Sequence, residues 1–156
     1  MNKEDVIYIA GLFDGDGCIT IRMNRPTSTS KHKSTLFSLV VKVTMCDKKT
    51  IKYLHDAFKV GHFRKNTGKE YNKSRSDAWS WTVMSRNALF VIKKLYPYLR
   101  TKKSEADVAL EFEQVMNGRS GRARTNIELT NKRRLLYERL RELKPSNKWR
   151  GGTNTL

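Results

Sequence analysis

Cysteine, proline and histidine are scarce in this chain of 156 residues, which holds two Cys, three Pro and three His. Cys18 and Cys46 are too few for a disulfide framework, so a reducing, intracellular setting is expected. His32, His55 and His62 lack finger-like spacing, which argues against a structural zinc site. No apolar run approaches the roughly 20 residues needed to span a bilayer. The opening Met1-Asn2-Lys3-Glu4-Asp5 carries both charge signs and leads into no signal-peptide pattern, so no membrane partner is expected. Acids are scarce as well: 15 Asp plus Glu stand against 32 Lys plus Arg, a formal net charge of +17. Such a surface attracts polyanions, and nucleic acid is the foremost candidate.

The length suits one ordinary globular domain. Asn2 can cap a helix with Asp5 in its first turn, and residues from Lys3 to about Asp14 read as helical. That helix is apolar on too many sides. Val6, Ile9 and Phe13 form one stripe; Ile7, Ala10 and Gly11 form another; Tyr8 and Leu12 fill the remainder. A helix apolar all round is buried all round, and one domain of this size covers only one side of its first helix.

From Cys18 the period changes to two. Ile19, Ile21 and Met23 alternate with Thr20, Arg22 and Asn24. After a polar loop, Phe37, Leu39, Val41 and Val43 alternate with Ser38, Val40, Lys42 and Thr44, as in half-buried antiparallel strands. Asp47 can cap a helix from about Lys48 to Phe58. A second strand pair follows, with Phe63 inward and His62, Arg64 and Asn66 outward, then Trp79, Trp81 and Val83 inward against Ser80 and Thr82. Helices from about Asn87 to Tyr96, stopped by Pro97, and from about Lys103 to Met116 complete a helix-backed antiparallel sheet of the α+β class.

Residues 1–116 read as the core. Residues 117–126 read as a basic linker rich in Gly and Arg, 127–144 as a basic C-terminal helix for which Thr130 is a candidate cap, and 145–156 as a tail. The outward sheet positions Arg22, Asn24, Lys42, His62, Arg64 and Asn66 are rich in donors that can read base edges in a major groove, and none of them is acidic.

Asp14 and Asp16 bracket Gly15 at the end of the first helix. The last helical carbonyls have no intrahelical partner. A carboxylate beside a free carbonyl makes a hard-oxygen site suited to Mg²⁺. On those four residues alone, Asp-Gly-Asp-Gly reads equally well as a helix-to-strand turn. It is not an EF-hand start, because Ile19 falls where Gly is required and Arg25 where Glu is required. Ala10 and Gly11 suit close approach of a partner helix, and equally suit packing inside one domain.

The segment Ile9-Ala10-Gly11-Leu12-Phe13-Asp14-Gly15-Asp16-Gly17 closely resembles the motif of LAGLIDADG homing endonucleases, and the similarity in element order covers roughly residues 3 to 116. The motif does not recur in the chain. The resemblance implies an αββαββα fold with an antiparallel, saddle-shaped sheet and additional C-terminal helices. It implies a Mg²⁺-dependent DNA endonuclease, with Mn²⁺ or Ca²⁺ able to substitute for binding, that breaks both strands of a long pseudo-palindromic duplex and leaves short 3′ overhangs. Single-motif members form homodimers through the motif helix, so Ile7, Ala10 and Gly11 are expected at a dimer interface. Asp16 matches the catalytic metal ligand and Gly15 a position whose carbonyl reaches the metal. Lys102 and Lys49 match basic positions near the active site. Met45 stands where related enzymes tend to have Gln, and it cannot make the hydrogen bonds of Gln. Arg22, Asn24, Ser38, Val40, Lys42, His62, Arg64, Asn66, Ser80 and Thr82 are expected to face DNA, with phosphate contacts from Lys48, Lys103, Arg133 and Arg134. The alternatives within the family are a maturase that binds its host intron RNA and a non-catalytic DNA-binding protein.

Overall fold

The computed structural model describes residues 1–29, 34–66, 77–116 and 126–144. The expected basic linker and tail fall outside these, apart from Asn126. The elements are α1 (Lys3–Asp16), β1 (Gly17–Asn24), β2 (Leu36–Met45), α2 (Lys48–Phe58), β3 (His62–Asn66), β4 (Ala78–Met84), α3 (Ser85–Leu95), a 3₁₀ turn (Tyr96–Tyr98), α4 (Lys103–Val115) and α5 (Ile127–Glu142).

Local chemistry sets most boundaries. Asn2 and Asp5 form a reciprocal capping box at α1: the Asp5 amide donates to Asn2 Oδ1 at 2.8 Å and the Asn2 amide to Asp5 Oδ2 at 3.2 Å. Asp47 accepts from the amides of Lys49 and Thr50 at 3.1 and 3.0 Å and starts α2. The helix α1 runs through Gly15 to Asp16, two residues beyond the expected end. Gly15 is therefore no turn residue. Gly17 closes the helix with φ −73°, its amide bonded to the Phe13 carbonyl. Glycine is needed there for space, since a Cβ would overlap the ring and carbonyl of Phe13. The helix α3 starts at Ser85, ahead of the expected Asn87, because Ser85 turns directly out of β4 with φ 55°. Asn126 caps α5, accepting from the Leu129 amide at 3.1 Å, while the Thr130 hydroxyl donates to the Asn126 carbonyl at 2.9 Å. The cap thus precedes the expected Thr130, whose hydroxyl is spent inside the first turn.

The four strands form one antiparallel sheet in the order β1-β2-β4-β3. Ile19 lies opposite Val41, and Val41 opposite Val83; Val43 lies opposite Trp81, and Trp81 opposite Phe63. This inward face meets Val6, Ile9 and Phe13 of α1, Ile51, Leu54 and Phe58 of α2, and the buried sides of α3 and α4. Trp81 is fully buried, stacked on Phe58 at 5.3 Å between ring centroids, with its indole N–H donating to the Val60 carbonyl at 2.8 Å. The helix α5 packs across α4 and β1 through Leu136 and Leu140.

Gly17→Ala is expected to lower stability by about 1–3 kcal/mol through overpacking against Phe13. Thermal or urea unfolding of the two proteins measures it.

Candidate functional site

Two carboxylates close α1, and they do different things. Asp14 Oδ2 accepts from the Arg100 amide at 2.7 Å, and Oδ1 from the Lys102 amide at 3.0 Å. The Thr101 hydroxyl donates to the Asp14 main-chain carbonyl at 3.0 Å. Burial pushes the Asp14 carboxyl up. The amides of Arg100 and Lys102, followed by Thr101, outweigh that and hold it below the ordinary carboxylate value. Asp16, the last residue of α1, is exposed, and among the described residues nothing donates to its carboxylate. Gly15 is exposed beside it, its carbonyl in the last turn of the helix.

The Asp14 bonds bring Lys102 to this end of α1, partly buried and immediately ahead of α4. A second lysine arrives from just beyond α5: Lys144 Nζ lies 3.1 Å from Cys18 Sγ, two residues beyond Asp16. Burial raises the Glu105 carboxyl, and the charges of Lys102 and Lys144 partly offset the rise. Lys49 is on the exposed first turn of α2 and takes no part in these bonds. Met45 ends β2 opposite Trp79 and packs against the core. Among the described residues no cluster of three His, Cys, Asp or Glu could hold a metal. Among the described residues the end of α1 offers the open Asp16 carboxylate and the Gly15 carbonyl, hard oxygens of the kind that form part of a Mg²⁺ site.

The outer side of α1 is open. Ile7 and Tyr8 are 46% and 57% exposed, and a Cβ on Gly11 or Gly15 would meet nothing within 4 Å. Tyr8 meets Tyr53 edge to face at 6.1 Å, so the open stripe continues onto α2. Ala10 does not belong to it: at 0% exposure it faces this chain's own core, which corrects its placement at an interface. One helical position rotates Ala10 inward and Gly11 outward. The i, i+4 spacing of Gly11 and Gly15 was the readable signal that marked the open side.

The outward sheet face forms rows set by the register. Cys18, Lys42, Thr82 and His62 lie side by side, as do Thr44, Ser80 and Arg64, while Arg22 faces Ser38. Arg22, Asn24, Lys42, His62 and Arg64 are exposed, with Ser38, Asn66 and Thr82 partly so. Val40 and Ser80 are on this face but only 2% and 3% exposed, closed over by the flanking side chains of a central strand pair; both are corrected as contact residues. The Ser80 hydroxyl donates to Asn66 Oδ1 at 3.5 Å. Arg133 is also corrected. It is buried, and its Nε donates to the Val115 carbonyl at 2.7 Å, which ties α5 to the end of α4 and removes it from phosphate contact. Lys103 lies 3.8 Å over the Tyr96 ring and Lys48 4.7 Å over that of Trp79.

A helix-backed sheet thus carries a basic outer face, and the apolar helix that leads into its first strand ends in an acid with no donor among the described residues. The family model described as LAGLIDADG endonuclease matches residues 9–116, and the chain belongs to that family. No curated protein sequence matches the chain. Among solved structures, it is similar to the homing endonuclease I-CvuI in complex with the I-CreI target in the presence of Mg, with TM-score 0.74, 16% identity, and coverage of 99% of this chain and 87% of that one. The archaeal intron-encoded homing endonuclease I-Vdi141I, complexed with DNA, matches with TM-score 0.71 at 12% identity, covering 90% and 84%. The meganuclease I-SmaMI, bound to uncleavable DNA, matches with TM-score 0.66 at 20% identity, covering 88% of this chain and 45% of that one. These likenesses establish the LAGLIDADG homing-endonuclease fold expected from the motif.

Replacing Arg133 with Met is expected to cost about 1–3 kcal/mol, because the Val115 carbonyl loses its donor. Arg134→Ala, at an exposed position, should stay within about 0.5 kcal/mol. Chemical denaturation of both variants distinguishes the structural arginine from its surface neighbour.

Proposed function

We propose that this protein is a site-specific DNA endonuclease that works as a homodimer, hydrolysing one phosphodiester in each strand of a long pseudo-palindromic duplex to leave short 3′ overhangs. The observation that carries this reading is the exposed carboxylate of Asp16, which has no donor among the described residues, at the end of a helix whose outer stripe is open and small. A second α1 packed along Ile7, Tyr8, Gly11 and Gly15 would bring a second Asp16 to the same place. That would add a second set of hard oxygens to the first. The solved structures of like fold, captured with DNA, support a duplex as the polyanion.

Asp16 and the Gly15 carbonyl would hold Mg²⁺, with Mn²⁺ or Ca²⁺ able to take its place for binding. When bound, such an ion stabilises the attacking and leaving oxygens of an in-line hydrolysis. Lys102 would lend positive charge to the scissile phosphate, and Lys49 would face the phosphate from α2. Met45 packs against the core and offers no hydrogen bond to an attacking water. Arg22, Asn24, Lys42, His62 and Arg64 would meet base edges and phosphates along the sheet, with Ser38, Asn66 and Thr82 at their sides. At +17 per chain, binding should weaken steeply with salt.

The direct test is selection of cleavable duplexes from a random DNA library. Cutting is expected with Mg²⁺ and not with EDTA, and Asp16→Asn should reduce the rate on a recovered site by more than about 100-fold, the upper end of what loss of a supporting residue costs. Normal cleavage by that variant would remove the assigned site. Promotion of intron splicing without cleavage of any duplex would favour an RNA cofactor instead.

The dimer is tested separately. Sedimentation should give about twice the 18.2 kDa chain mass. Gly11→Val should keep the fold, since a Cβ there meets nothing within 4 Å, yet shift the mass toward one chain. An unchanged dimer in that variant would move the interface elsewhere.

A further inference from the structure

The second motif carboxylate is spent in a way that helix stability does not explain. A negative side chain in the last turn of α1 lies at the unfavourable end of that helix's dipole. Its oxygens instead receive the amides of Arg100 and Lys102, just ahead of α4, where negative charge is favourable. The third bond, from the Thr101 hydroxyl to the Asp14 carbonyl, comes from the residue between them. Three consecutive residues are thus pinned to a single residue 86 to 88 positions earlier. Lys102 itself adopts φ −98° and ψ 15°, between the helical and extended regions, with its amide fixed by Asp14. Asp16 follows Asp14 in the same helical turn.

We propose that Asp14 is the positioning residue of the site, locking the backbone of Lys102 to the end of α1 so that Asp16 and Lys102 keep one fixed relation while DNA binds and leaves. The inference rests on the reading that Asp16 and Lys102 serve cleavage. Asp14 touches no substrate in this scheme; it acts through Lys102. An asparagine at this position keeps one acceptor oxygen but presents an NH₂ to the other amide, so donor meets donor.

The experiment has one arm on the free protein and one on the reaction. Amide hydrogen exchange on the protein alone should show Arg100 and Lys102 protected, and at least about tenfold faster exchange in Asp14→Asn. Unchanged exchange would overturn the clamp. In single-turnover cleavage of a duplex recovered from the library selection, Asp14→Asn should lose about 100-fold in rate, the scale of a small misplacement of a reacting group. Its affinity for the same duplex in Ca²⁺ should change by no more than about threefold, since ground-state binding does not use the clamp. Lys102→Ala should lose rate too, and the Asp14→Asn, Lys102→Ala double variant should be no slower than the worse single. Additive losses would assign Asp14 a purely structural part. Should Asp14→Asn fail to fold, Thr101→Val removes only the hydroxyl bond and should show a smaller rate loss with the same non-additivity. If Lys102→Ala cleaves normally, the proposed function loses its basic residue, while the exchange result still decides whether Asp14 holds the loop.

Discussion

The helix α1 must satisfy two surfaces at once. Val6, Ile9, Ala10 and Phe13 are buried against the sheet, and this fixes the helix's rotation. The same rotation turns Ile7, Tyr8, Gly11 and Gly15 outward, and it sets the direction in which the helix ends. Asp16 ends the helix in the open, while Asp14, two residues before it, is bonded to the amides of Arg100 and Lys102. Burial, an open helical face and an acidic terminus are therefore consequences of one packing decision. The sheet, α2 and α3 act as the platform that makes the decision rigid, with Trp81 and Phe58 stacked at its centre.

Charge is arranged so that a chain of +17 can still fold. Nearly all described basic side chains are at the surface, where water screens them. Arg133 is the buried exception, and its Nε is bonded to the Val115 carbonyl. Register then gathers Lys42, His62 and Arg64 on neighbouring rows of one sheet face. The face that the core leaves over is the basic one, so the charged side chains and the hydrophobic core do not compete for the same positions.

Much of this was legible in the sequence, for local reasons. Asn2 and Asp47 announce helix starts because their side chains bond amides two or three residues away. Alternation within Ile19–Asn24 and again within Phe37–Thr44 sets the sheet's inner face, because a one-residue slip would turn those inward side chains to the outer face. The motif located the acidic end of α1 and the family. The rest depended on distant partners. Nothing near Asp14 in sequence says that its ligands are 86 and 88 residues away. Alternation places Val40 and Ser80 on the outer face correctly, but only the packed sheet shows that their neighbours close over them. Arg133 reads as one more basic surface residue until α5 meets the end of α4. Ala10 and Gly11 look interchangeable in a list of small residues, and the core separates them.

The central claim, that the open stripe of α1 is where two chains meet, is most directly tested by cross-linking at its midpoint. A Gly11→Cys chain carrying Cys46→Ser should oxidise to a covalent dimer, because two α1 helices crossing at small residues bring Cα atoms within the 4.4–6.8 Å that a disulfide requires. The predicted result is a non-reducing band at about twice 18.2 kDa, forming much faster than with a cysteine placed at exposed Phe90 on α3. Equal or slower cross-linking at position 11 would contradict the account.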